Sequence, residues 1–219
     1  DYRGYFKDDD AVREGRALKH AGYDVVIHGV DAYSTLGWFH DPVLNCFVHG
    51  SDIDLAELIF HELTHRRLFR NGDTDFNESM ATAFAEEGVK RWLKARKRTA
   101  DLRKYEALLV KREEFYNEIE VTRKKLETLY ASGKTDAGKR KLKAAALKEL
   151  QDRFIALRRR WGGRGLESWL DMKLNNAHLV SIITYQKNTA VFHRLLQDCG
   201  GDPDEFFKRA EKLKLPKSP

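Results

Sequence analysis

Leu58-Ile59-Phe60-His61-Glu62-Leu63-Thr64-His65, then Asn71-Gly72, then Phe76-Asn77-Glu78-Ser79-Met80-Ala81 is the stretch whose reading decides both architecture and chemistry. From Asp52 onward Ile53, Leu55, Ala56, Ile59, Phe60, Leu63 and Leu68 recur at helical spacing, and Asn71-Gly72 is a stop signal. A second helical run follows through Met80, Phe84, Val89 and Trp92, with Thr74 or Asp75 as its cap. Two helices joined by so short a turn are expected to lie antiparallel.

His61 and His65 stand four apart, on one face of the first helix and one turn from each other. Two imidazoles so placed can reach one tetrahedral ion. Glu62 is rotated away from that line, which suits a base that holds a metal-bound water rather than the metal. The run Leu58-Ile59-Phe60 before His61 is apolar, as a buried site requires, whereas Arg66 puts a charge directly after His65. A zinc ion of this kind needs a third protein ligand and an open position for water. In an antiparallel pair, residues equally far from the turn lie level, so His65 faces the neighbourhood of residue 79, and Glu78 is there. Glu86 and Glu87 stand level with Leu58 and Glu57, beyond the metal. The other reading of Glu78 is a carboxylate near a helix start, where such groups are common. Glu86 shares a helix face with Glu78 and is a candidate carboxylate partner for a ligating histidine.

The segments Ile59–His65 and Phe76–Ala81 resemble those of the bacterial family called predicted aminopeptidases. Asn77-Glu78-Ser79-Met80-Ala81 is similar to the Asn-Glu-Gly-Phe-Ala segment of aminopeptidase N-like gluzincins. The resemblance extends through Tyr2–Phe6, Gly22–Val25, Ala32–Phe39, Glu87–Leu93, Asn175-Asn176-Ala177 and Tyr185, nearly the whole chain. It implies a zinc metallopeptidase acting on peptide or protein substrates. It also implies a place in the bacterial cell envelope or periplasm, the export or lipoprotein signal belonging to sequence that family members carry before the Tyr-Arg-Gly-Tyr-Phe segment. Gluzincins place a Tyr or His to stabilise the oxyanion. Asn175, His178, Ile182 and Tyr185 form one helical stripe, and Tyr185 takes the tyrosine position of the resembling family; His178 is the alternative, and ordinary packing the bland reading of both. Asn175 and Asn176 either line a cleft or cap a helix.

Outward from this centre, Ala11 to Ala21 reads as a helix ending at Gly22, and Tyr23 to Val30 as a strand. Tyr33–Phe39 and Asn45–Val48 read as two strand segments around a turn with Gly37 and Pro42. Leu36–Phe39 is either an edge strand that pairs with an extended substrate or a core strand with a glycine bulge. Asp41 either binds a substrate amine or forms the turn with Pro42. Residues 99–161 read as a helical hairpin with coiled-coil-like packing: Tyr105, Leu109, Tyr116, Ile119, Leu126 and Tyr130 on one arm, Leu147, Leu150, Phe154, Leu157 and Trp161 on the other. The expected class is therefore α+β, mostly α. It is a zincin-like single domain over residues 1–219, with a small N-terminal sheet, an antiparallel metal-binding helix pair and the hairpin of residues 99–161 as an insertion.

The chain of 219 residues carries a net charge of +6. Between Lys94 and Arg160 stand 21 basic and 10 acidic residues, so that stretch holds +11 and the remainder −5. The part bearing the chemistry is mildly acidic, and no nucleic-acid partner is expected; the charge run reads as a solvated face, with a binding surface as the alternative. A non-catalytic module that engages nucleic acid or a protein through this hairpin is the rival function, and three ligands at one register count against it. Cys46 and Cys199 lie in no metal-ligand pattern. No apolar run approaches the length of a membrane span. The opening at Asp1, without Met, reads as a trimmed product.

Overall fold

The computed structural model describes residues 3–27 and 51–215. Among them the chain forms helices α1 (Asp8–His20), α2 (Asp52–Arg67), α3 (Thr74–Ala95), α4 (Thr99–Ala131), α5 (Asp136–Arg160), α6 (Glu167–Asp171), α7 (Asn176–Gln186), α8 (Thr189–Asp198) and α9 (Pro203–Lys212). They fall into two compact units: Asp1–Gly29 with Leu109–Ile183, and Val30–Leu108 with Thr184–Pro219.

The described residues contain no strand, so the class is all-α over them and the expected α+β reading with an N-terminal sheet is corrected. Residues 23–27 show why a β-branched run misleads. A methyl group on Gly15 of α1 would come within 2.6 Å of Ile27 and 3.5 Å of Val25, so this segment is packed against α1. The Val25 carbonyl accepts from Asn175 Nδ2 at 3.1 Å rather than from a neighbouring strand. The other segments read as strand, 28–30, 33–39 and 45–48, lie outside the described residues.

In the first unit α4 and α5 run antiparallel, as their pairings show: Glu114 with Trp161, Glu118 with Arg153, and Lys125 with Glu149. Ile119, Leu126, Leu150, Phe154 and Leu157 are buried between them. The hairpin is not closed by its own arms alone, because Leu174, Leu179 and Ile183 join the same core and Trp169 meets Phe115 edge-on at 4.9 Å. Asn175 caps α7 by accepting from the backbone of Ala177 and His178, while Asp24 accepts from the Asn176 N–H and pairs with Lys143. Of the two readings, capping is what the structure shows for Asn175, whereas the Asn176 side chain pairs with the Tyr130 hydroxyl.

In the second unit α2 begins at a capping box, Ser51 with Asp54, and α3 at Asp73, whose carboxylate accepts from Phe76 N; Thr74 and Asp75 follow the cap instead of forming it. Between the helices the backbone turns through Gly72 at φ +78°, a conformation that favours glycine. Phe76, Met80 and Ala83 line one face of α3 and pack with Phe192 and Leu196 of α8 and Phe206, Phe207 and Ala210 of α9. The opposite side of α3 meets α2. His65 lies level with Glu78 and Phe60 with Gly88, which makes the pair antiparallel.

Gly88 is the closest point of that approach, since a Cβ there would stand 2.7 Å from the Phe60 ring. Gly to Ala inside a helix ordinarily gains roughly 0.5–1 kcal/mol. Forcing a methyl into a filled contact costs typically about 1–3 kcal/mol. Gly88→Ala is therefore expected to lower the thermal midpoint; a raised midpoint would mean that Phe60 swings aside freely.

Candidate metal centre

His61 and His65 extend from one edge of α2. Their rings meet nearly at right angles, 84°, with centroids 4.8 Å apart, and their Nε2 atoms are 3.1 Å from each other. Glu78, from the first turns of α3, brings Oε2 to 3.1 Å from His61 Nε2 and Oε1 to 3.7 Å from His65 Nε2. One ligand atom from each of the three lies within 4.8 Å of the others, and the cluster can hold a metal ion. His65 is buried at 7% exposure, while His61 and Glu78 are half-buried and so open on one side. Each of these ring nitrogens is a donor or a lone-pair acceptor according to its tautomer, so the same three groups can share protons with one another or present lone pairs to a cation. Burial pushes the Glu78 carboxyl up, but hydrogen bonds from His61 and His65 outweigh it and hold the group at about 2.

Glu62 is half-buried and makes no hydrogen bond or ion pair among the described residues. Tyr185 lies in the same unit, its ring 6.1 Å from that of His61, and Phe69 places its ring edge-on to His65 at 6.0 Å. The chain beyond Tyr185 is tied to α3 on either side of Glu78. Lys187 Nζ donates to Asp75 at 2.9 Å, and Asn188 N donates to Ser79 Oγ at 3.2 Å. Asp75 was legible only as a capping candidate; its pairing across more than a hundred residues leaves no mark in the sequence.

The remaining candidates lie elsewhere. Glu86 is buried and sets Oε2 2.9 Å from His193 Nε2 of α8, not beside either histidine of α2. Glu87 pairs with Lys90 and Arg91. His178 belongs to the other unit, where its Nδ1 lies 2.9 Å from Asn175 Oδ1. Asp41 and Leu36–Phe39 fall outside the described residues. Two residues with no role of their own assigned from sequence, Arg70 and Asn77, prove central to the turn between α2 and α3. Asn77 accepts from Arg70 N at 2.9 Å and donates to Arg70 O at 2.8 Å, and the Arg70 guanidinium donates to the carbonyls of Ala210, Glu211 and Leu213.

Among known families, the model described as Putative aminopeptidase matches residues 1–218. No significant match was found among curated proteins or among solved structures.

In the metal-free protein the Glu78 carboxyl titrates below its ordinary value of 4.5, so its contribution to stability is present above that pH and is lost as pH falls toward about 2. His61→Ala removes a lowering hydrogen bond and leaves the burial. The Glu78 carboxyl is then expected to move upward in a carbon NMR titration of the metal-free variant. A carboxyl that stays at about 2 would show that His61 does not hold it down.

Proposed function

This chain belongs to the Putative aminopeptidase family, and we propose that it is a zinc-dependent peptidase of the gluzincin type, with His61, His65 and Glu78 as the metal ligands. The observation that carries the reading is the convergence of two imidazole nitrogens and one carboxylate within 4.8 Å. Bonds of about 2.0–2.1 Å to a tetrahedral zinc imply ligand atoms roughly 3.3 Å apart, and borderline-soft N and O donors are what zinc takes. The two Nε2 atoms stand 3.1 Å apart, and the Glu78 carboxylate comes as close as 3.1 Å to His61 through Oε2 and 3.7 Å to His65 through Oε1, distances around that spacing. Three protein ligands leave a fourth position for water or substrate, as in catalytic rather than structural sites.

A bound zinc ion supplies polarisation of a carbonyl and a lowered pKa of water. The chain's own residues do the rest. Glu62 takes one proton from the attacking water and later hands it to the leaving nitrogen, so that cleavage of the C–N bond releases a neutral amine and a carboxylic acid. The remaining proton of the acid then passes to the amine to leave ammonium and carboxylate. Tyr185 donates a hydrogen bond to the carbonyl oxygen as it becomes negative. The proposed substrate is a peptide or protein, the family description makes removal of an N-terminal residue the activity to assay first, and the proposed place of action is a bacterial cell envelope, a reading the sequence resemblance supports.

Metal analysis of the purified protein is expected to give about one zinc per chain, one tetrahedral site of this kind holding a single ion. Glu78→Ala and His65→Ala should lose it while Glu86→Ala keeps it; retention in Glu78→Ala with loss in Glu86→Ala would assign the wrong carboxylate. Glu62→Gln keeps the shape of the side chain without its basicity, so zinc and fold stay and peptide hydrolysis disappears. Undiminished turnover in that variant would refute the mechanism. Tyr185→Phe should leave zinc content unchanged and lower kcat by roughly 10²–10³-fold, the usual effect of losing one oxyanion donor. An unchanged kcat would remove Tyr185 from the reaction.

A further inference from the structure

We infer that Asn77 and Arg70 are positioning residues for the metal centre: together they fix where the Glu78 carboxylate stands relative to His61 and His65. The inference rests on the metal-site reading above and extends it to residues that do not touch the ion.

The argument starts from the connection between α2 and α3. His65 is near the end of α2, Glu78 is early in α3, and the backbone between Arg67 and Thr74 belongs to neither helix. A turn without side-chain anchors would leave the axial offset of the two helices soft. Asn77, next to Glu78 and almost fully buried, closes that freedom with a two-bond bracket, Arg70 N–H to Oδ1 at 2.9 Å and Nδ2–H to Arg70 O at 2.8 Å. A side-chain amide of this length presents a donor and an acceptor side by side, on separate atoms. Aspartate lacks the donor, and alanine leaves a buried N–H and C=O of Arg70 without these partners.

Arg70 is in turn held from outside the turn. Its Nη2 lies 2.7, 2.9 and 2.8 Å from the carbonyls of Ala210, Glu211 and Leu213 at the end of α9, where the Ala210 carbonyl also accepts from Leu213 N. Its guanidinium carbon sits 3.5 Å from the centroid of the Phe76 ring, and Phe76 is fully buried directly before Asn77. The turn is thus fastened to α3 through the Asn77 amide and to α9 through the Arg70 guanidinium. Glu78, one residue past Asn77, inherits that position.

The test is the affinity of the metal-free, folded protein for Zn²⁺ by chelator competition, with the visible spectrum of Co²⁺ as a second reading of ligand geometry. Asn77→Ala is expected to remain helical by circular dichroism, to bind zinc at least about tenfold more weakly, the lower end for outer partners of metal ligands, and to give a weakened Co²⁺ band. Leu150→Ala, a core truncation in the other unit, lowers stability but leaves zinc affinity and the Co²⁺ spectrum as they were. That contrast separates positioning from stability, since binding to a folded chain reads the site. Where the alanine variant does not fold, Asn77→Asp, which keeps the acceptor and loses the donor, carries the same comparison. A variant that binds zinc as tightly as the unaltered protein, with the same Co²⁺ spectrum, overturns the inference and leaves the metal centre standing. An unaltered protein that takes up no zinc overturns both.

Discussion

The distance at which α2 and α3 pass one another sets the rest of the candidate centre. A helix pair whose facing residues all carried bulky side chains would stand too far apart for a carboxylate on one to meet imidazoles on the other. Here the ring of Phe60 lies where a Cβ of residue 88 would be, and Gly88 provides the room. With the helices at that distance and antiparallel, the ligand atoms of His61, His65 and Glu78 come together toward the turn that joins the pair. On its other side α3 is committed to the aromatic cluster of Phe76, Phe192 and Phe206, with ring centroids 5.1 to 6.4 Å apart. One helix thus carries an apolar face that fixes its rotation and a polar face whose direction follows from it.

The polar face is expensive to maintain without an ion. Two imidazoles and a carboxylate have been moved partly out of water, and what offsets their desolvation in the bare chain is their own hydrogen bonding. Among the described residues His65 Nδ1 is buried with no hydrogen-bond partner. Local violations of folding rules concentrate where a protein has chemistry to do. The helices concerned are otherwise regular, with a capping box at Ser51, an Asp73 cap and small residues at Ala81, Ala83 and Ala85. The strain of the site is therefore borne by well-formed elements rather than by a loop.

How much of this is legible in the chain depends on how local each feature is. The four-residue step between His61 and His65, the stop at Asn71-Gly72 and the level position of Glu78 are short-range facts, and the juxtaposition of the three follows from them. The hairpin arms are legible for the same reason, since each repeats its apolar residues at helical steps and the two are adjacent in sequence. The fold class is not legible, because Tyr23-Asp24-Val25-Val26-Ile27 has the composition of a strand and its fate is decided at long range, by Gly15 of α1 and by the side chain of Asn175. Propensity ranks the conformations of an isolated segment; here tertiary contacts supply the backbone partner that a sheet would have given. The bracket of Asn77 on Arg70 is illegible for a different reason. Its two hydrogen bonds run from a side chain to a backbone, and the backbone partner can be any residue.

The charge distribution completes the separation of scaffold from chemistry. Most of the acidic residues between Lys94 and Arg160 are already engaged with basic neighbours, Glu118 and Glu149 with Arg153, Glu120 with Arg123 and Asp152 with Lys148. The hairpin's excess positive charge is thus what remains after its own ion pairs are formed, and it sits on arms that turn Ile119, Leu126, Leu150, Phe154 and Leu157 inward. His61, Glu62, His65, Glu78, Tyr185, Asn77 and Arg70 all belong instead to the unit of Val30–Leu108 with Thr184–Pro219. The three residues that could hold a metal ion, Glu62 beside them and the Asn77–Arg70 bracket are drawn from one compact body, so the described geometry of the cluster requires no residue of the hairpin's core.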